Sequence, residues 1–226
     1  MKDITGTFAG PRAEIAYRRR DGDGPTLLWL GGFGSDMTGT KAQWLDDWCA
    51  GGGRAFVRFD YSGHGASGGR FEDGAISDWA ADAEAVLSEL IRGPVVLVAS
   101  SMGAWIGALL ARRAAARIAG AVFVAPAPDF TERLLLPALS PEERRALDVG
   151  GRLVLPSAGD EPGLIITRRL IEDGRENLVM DAPLAIAGPV RILQGKRDGD
   201  VPWRHALAFA AIIEAPEITL TLVADG

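Results

Sequence analysis

A chain of 226 residues with 47% hydrophobic and 24% charged side chains holds enough apolar material for one full core, which excludes a disordered or fibrous protein. The net charge of −6 argues against a nucleic-acid partner, and the basic clusters Arg18-Arg19-Arg20, Arg112-Arg113 and Arg144-Arg145 are short and offset by acids or carried on helices, so they read as solvated surface. The single cysteine, Cys49, excludes an internal disulfide and a thiolate metal cluster, and no apolar stretch reaches the ~20 residues of a membrane span; a cytoplasmic protein is expected.

Strand and helix signals alternate along the chain, the pattern of a mostly parallel sheet covered by helices. Strands are predicted at 13–19 and 26–30, followed by the Gly-rich loop Gly31-Gly32-Phe33-Gly34. A helix over 41–50 comes next and carries Cys49 beside Trp48, where a small buried hydrophobe is expected rather than a reactive thiol. A strand at 55–59 leads into the run Asp60-Tyr61-Ser62-Gly63-His64-Gly65-Ala66-Ser67, then a helix over 77–92, a strand at 95–99, a helix over 104–117 and a strand at 121–125. Several of these strands are continuous apolar runs, as expected where both faces of the sheet are buried. After Pro126 the rhythm breaks. Prolines from Pro126 to Pro183 punctuate a segment that still carries helical pieces at 141–147 and 164–172, so residues 127–188 are expected to form an insertion packed over the sheet edge as a cap. A strand at 190–194, a helix over 203–214 and a strand at 218–223 follow. There is no internal repeat and no second core, so residues 1–226 are expected to form a single domain.

The chemistry concentrates where the strand Val95-Val96-Leu97-Val98 runs into Ala99-Ser100-Ser101-Met102-Gly103 and an Ala-rich helix. A nucleophile elbow of the form G-x-S-x-G needs small residues at both ends, because the turn is too tight for larger side chains. A nucleophile at Ser101 puts Ala99 and Gly103 on the crowded positions, whereas one at Ser100 would put Val98 and Met102 there. The spacing therefore selects Ser101, with Ala in place of the first Gly. The competing reading is a serine pair capping an ordinary helix.

The elbow, the loop from Leu30 to Met37, the run from Arg58 to Ser67 and the segment Leu193-Gln194-Gly195-Lys196-Arg197-Asp198-Gly199-Asp200-Val201-Pro202-Trp203 occur in this order. Together they resemble the α/β-hydrolase superfamily. Within it they resemble the small serine hydrolases of the mitochondrial palmitoyl-protein thioesterase and mycophenolic acid acyl-glucuronide esterase subfamily, over a stretch from about Ile15 onward. The resemblance implies an α/β-hydrolase fold, a mostly parallel sheet flanked by helices with a small cap, and hydrolysis through a serine nucleophile without metal or organic cofactor. It matches Asp198, just beyond the strand at 190–194, to the acid that orients the catalytic base. Asp200 is the runner-up, or else caps the helix near Pro202, and Asp129 is a third choice. One oxyanion donor in this fold is the N–H after the nucleophile, here Met102; the other lies in the loop after an early strand, here assigned to Phe33. The glycines flanking Phe33 would permit an unusual backbone angle there. A dinucleotide site does not fit them, since no G-x-G-x-x-G runs into a helix with an acid at the expected distance.

The base is harder to assign. In this fold it is a histidine on the loop after the last strand, here the strand at 218–223. His64 precedes the elbow, in a Gly-rich loop, and His205 lies near the start of a predicted helix, so neither suits the role. The chain is expected to continue past Gly226 to a histidine; an inactive truncated chain and an unusual base are the alternatives. The function expected is cleavage of a carboxylic ester or acyl thioester of a small-molecule substrate through an acyl-enzyme on Ser101. Cap residues such as Leu134, Leu135, Leu136, Leu153 and Leu164 would supply an apolar acyl pocket. The rival from another class is a non-catalytic binding module on the same fold. A peptidase is disfavoured for want of a large gating domain, and chemistry on an Asp nucleophile by the serine at 101.

Overall fold

The structure is a computed structural model and describes residues 3–155 and 163–226. Among them, eight strands form the main sheet: β1 Asp3–Ala9, β2 Glu14–Arg20, β3 Asp23–Leu30, β4 Arg54–Phe59, β5 Val95–Ser100, β6 Ile118–Val124, β7 Val190–Gly195 and β8 Ile218–Val223. Their spatial order is β1-β2-β4-β3-β5-β6-β7-β8, antiparallel at β1/β2 and β2/β4 and parallel from there on. Four helices cover the sheet: α1 Thr40–Gly51, α2 Ile76–Leu90, α3 Met102–Arg113 and α4 Trp203–Ile212. Alternate residues of the central strands enter different cores. Trp29, Phe56 and Val98 pack with Leu45 and Cys49 of α1, while Leu28, Val57 and Leu97 join the larger cluster with α2, α3 and α4. Cys49 is fully buried, and burial pushes its thiol up to about 11, which makes it the inert hydrophobe expected.

The alternation was legible in the sequence, but β1 was not. It is an edge strand with half-buried and exposed residues in turn, and its partner β2 defines it more than any apolar run of its own. The segment between β6 and β7 shares a cavity with Ser101, at the carboxyl end of β5, through residues such as Phe130, Leu134, Leu135, Leu155, Leu164 and Ile166. It begins with a π-helical turn at Thr131–Leu135, and continues through the helix Pro141–Gly150, closed at its N-terminus by a reciprocal Ser140/Glu143 capping box. Residues 164–172 are not one helix. Leu164–Thr167 is a strand paired antiparallel with Arg152–Leu155, and Thr167 then caps the helix Arg168–Glu176 by accepting the Leu170 N–H. Ile165, Ile166 and Thr167 are β-branched, and a partner strand was enough to tip them out of the helix.

The Arg112-Arg113 and Arg144-Arg145 pairs are only partly the solvated surface expected. Arg112 donates to the carbonyls of Leu178, Val179 and Ala182, lashing the returning chain to the end of α3. Arg144 likewise donates to the carbonyls of Leu136 and Leu139, and Arg113 pairs with Glu84.

Candidate active site

The turn from β5 into α3 holds Ser101 at φ 54°, ψ −120°, a conformation L-residues avoid. Three backbone bonds hold it there. Its N–H donates to the Val124 carbonyl at 3.0 Å, and its own carbonyl accepts from Ala104 at 2.9 Å and from Ala127 at 3.1 Å. The crowding that selected Ser101 is real: a Cβ on Gly103 would lie 2.1 Å from the Leu30 carbonyl oxygen. Ala99 is fully buried, and its methyl is accommodated. Met102 is the first residue of α3, so its N–H has no partner within the helix.

The loop after β3 runs beside this turn; a Cβ on Gly32 would be 3.4 Å from Ser101 Cβ. Ser35 N–H closes it onto the Gly32 carbonyl at 3.2 Å. The unusual backbone angle expected at Phe33 falls instead on Gly34, at φ 70°, because the turn reverses one residue later. Phe33 is fixed by its ring, 4.9 Å from Phe71 and 5.5 Å from Phe130 between centroids.

The run from Asp60 to Ser67 braces that loop. His64 Nε2 accepts the Gly34 N–H at 3.3 Å, so its proton sits on Nδ1, facing the Ser62 carbonyl at 3.3 Å. Burial lowers the imidazole to about 4, and His64 is neutral. Asp60 accepts the N–H groups of Met37 at 2.6 Å and Ala66 at 2.8 Å, while burial raises its carboxyl above the usual range. Arg58 completes the brace by donating to the Met37 carbonyl at 2.8 Å.

Asp198 is half-buried in the loop after β7. Its Oδ1 accepts the N–H groups of Asp200 and Val201, each at 2.9 Å, and Gln194 Nε2 stands 3.4 Å from Oδ2 while donating to the Val201 carbonyl at 2.9 Å. Asp200 is exposed, and Pro202 rather than Asp200 stands at the N-cap of α4. Asp129 is spoken for elsewhere: fully buried, it accepts from Val179 and Met180, both at 2.8 Å, and pairs with Arg133. His205 is buried, its Nε2 lies 2.8 Å from the Pro128 carbonyl, and burial lowers its imidazole. Both histidines are thus committed to holding loops. The turn after β8 reaches the acid loop, where Arg197 N–H donates to the Gly226 carbonyl at 2.8 Å.

Phe33, Ser101 and Met102 line one cavity of about 390 Å³, and the loop bearing Asp198 reaches it through Gly199, Asp200 and Val201. Of the five cap leucines expected, Leu134, Leu135 and Leu164 line it, whereas Leu136 and Leu153 pack against the core. Leu155 and Ile166 belong to the wall as well, and went unseen because the hairpin that carries them was not recognised. Among the described residues no helix is long and apolar enough to cross a membrane.

Strand order, elbow and cap together make this an α/β-hydrolase fold, and its solved neighbours agree. A protein of Agrobacterium vitis S4 assigned as a hydrolase superposes with a TM-score of 0.95 at 43% identity, over 100% of this chain and 92% of that one. Mouse alpha/beta hydrolase domain-containing protein 10 superposes with a TM-score of 0.89 at 29% identity, over 99% and 90%. Residues 27–159 match the family described as serine aminopeptidase, S33, and the chain belongs to it. Among curated relatives, the palmitoyl-protein thioesterase ABHD10, mitochondrial, of Mus musculus is 31% identical over 215 residues, 94% of this chain and 71% of that protein.

These relatives overturn the expected cytoplasmic location, since those of mouse, rat, cattle and human are all named as mitochondrial. A lone cysteine and the lack of a long apolar stretch suit any reducing compartment. Addresses are written in targeting segments, and the composition of a folded body does not record them.

Proposed function

We propose that the chain hydrolyses carboxylic esters or acyl thioesters through an acyl-enzyme on Ser101. The observation that carries this reading is the backbone of Ser101, a non-glycine residue at φ 54° between strand and helix, at an apolar cavity of about 390 Å³. Strain of this kind, of order ~1–3 kcal/mol, persists at sites where the surroundings over-determine it. In the reaction Ser101 Oγ bonds to the acyl carbon as its proton passes to an imidazole, and the carbonyl oxygen becomes an oxyanion facing the N–H groups of Phe33 and Met102. The imidazolium then protonates the departing thiol or alcohol, and water repeats the sequence to free the acid. Asp198 orients the imidazole. His64 and His205 are tied to the Gly34 N–H and the Pro128 carbonyl, so in this reading neither is that imidazole, and the Gly226 carbonyl meets the acid loop at Arg197.

The apolar walls and the thioesterase names of the relatives favour an acyl chain over a peptide as the group held. One observation favours a binding module instead: neither histidine described is free to take the Ser101 proton. The test is a fluorophosphonate added to the full-length protein and read by intact mass. A single adduct is expected, absent from Ser101→Ala, with thioester turnover in that variant lower by about four to six orders of magnitude. A folded protein that takes no adduct would transfer the reading to the binding module.

A further inference from the structure

We propose that Asp200 selects the leaving group by charge, favouring acyl groups carried on a cationic or neutral thiol or alcohol over those on an anionic carrier; this rests on the acyl-enzyme reading above. Among the described residues that line the cavity, Ser101 and Asp200 are the only ones with polar side chains, and Asp200 is the only charged one. It is exposed, and among the described residues it has no ion-pair partner and no lysine or arginine lines the cavity to offset it.

The direction in which Asp200 acts follows from proton delivery. The group that protonates the leaving atom is the imidazole oriented by Asp198, so the leaving atom must lie on the side of the cavity where the Asp198 loop stands. Asp200 is two residues along that loop, its own N–H donating to Asp198 Oδ1 at 2.9 Å. The cap lines the cavity with Leu134, Leu135, Leu155, Leu164 and Ile166, and among the described residues it adds no charged side chain to the lining. An acyl chain desolvates against those side chains at no electrostatic cost, while the carrier emerges past a carboxylate. A phosphate-bearing carrier meets repulsion there. A thiol on a neutral or basic segment does not.

The experiment compares three octanoyl thioesters on the same two-carbon thiol scaffold, with thiocholine as cation, N-acetylcysteamine as neutral and 2-mercaptoethanesulfonate as anion. Comparing Asp200→Asn with the unaltered full-length protein on each substrate removes differences in intrinsic leaving-group reactivity. A charge about 7 Å away near a wet surface is worth about fivefold in rate for each sign. The kcat/KM ratio of cation to anion should therefore fall about 25-fold in Asp200→Asn, should be kept in Asp200→Glu, and should shrink in the unaltered protein as salt is raised to about 0.5 M. A loss by one common factor on all three substrates, or a ratio that does not move, overturns the proposal while leaving the hydrolase reading intact. Absence of turnover on every thioester together with absence of fluorophosphonate labelling overturns both.

Discussion

The cavity is bounded by two regions held in different ways. Below Ser101, the loops after β3, β4 and β5 are fixed by backbone geometry and by buried polar groups that reach one another's N–H groups: Asp60 takes Met37 and Ala66, His64 takes Gly34, and Val124 takes Ser101. Above it, the cap is held by buried apolar side chains such as Ile166, Leu170, Ile171 and Val179 and by side-chain tethers, among them Asp129 to Val179 and Met180, Arg112 to three carbonyls, Ser77 to Asp173, and Trp105 Nε1 to the Asn177 carbonyl at 2.8 Å. In the proposed reading a nucleophile and its oxyanion donors must be fixed to a fraction of an ångström, and networks of short backbone bonds are suited to that. An acyl wall needs only shape and apolarity.

The contrast breaks first at Gly103. Adding a methyl there drives it into the Leu30 and Gly31 carbonyl oxygens, at 2.1 and 2.7 Å, and backbone cannot rotate away. Gly103→Ala is expected to cost about 4 kcal/mol or more, read as a fall in the urea midpoint. A midpoint within experimental error of the unaltered protein would show that α3 slides on β3, and that the lower region is not the rigid one.

Asp129→Asn probes the cap. An amide can accept from only one of Val179 and Met180 and turns an N–H donor towards the other, so about 3 kcal/mol of stability should be lost. Limited proteolysis should show faster cleavage between residues 131 and 182, with the β5–α3 turn still protected. Equal protection of both regions would mean that apolar packing, not the carboxylate, anchors the cap.

The smallest effect is on acid stability. His64 has its imidazole lowered to about 4 by burial, against about 6.5 in an unfolded chain, so the unfolded state takes up a proton first as pH falls. Its contribution is whole above about pH 6.5, declines below that, and levels off under about pH 4. Between pH 7 and pH 5 this amounts to about 2 kcal/mol lost, which His64→Gln should not lose. His205, also lowered by burial, acts in the same direction in both proteins; Asp60 and Asp82, raised by burial, act oppositely, and the difference between the two proteins isolates His64. Parallel pH profiles would remove His64 as a buried neutral brace.

Much of the lower region was legible before any coordinates. The tight turn was readable from small residues at 99 and 103, because turn crowding leaves marks within a few neighbouring residues, whereas Asp198 was matched only through the resemblance, with Asp200 and Asp129 as alternatives. The cap was legible only as an interruption. Leu164-Ile165-Ile166-Thr167 suits either a helix or a strand, and the pairing with residues 152–155 decided it. Arg112 read as surface because carbonyls as partners leave no trace in a sequence.

Local chemistry in the sequence by itself determined the alternation of strands and helices and the tight turn between β5 and α3. Only the tertiary structure decided that His64 braces Gly34 from 30 residues away, that His205 reaches Pro128 across 77, and that Asp129 accepts from Val179 and Met180 some fifty residues on. Burial and hydrogen-bond partners set the charge state and the duty of a titratable side chain, and both come from segments distant in the chain.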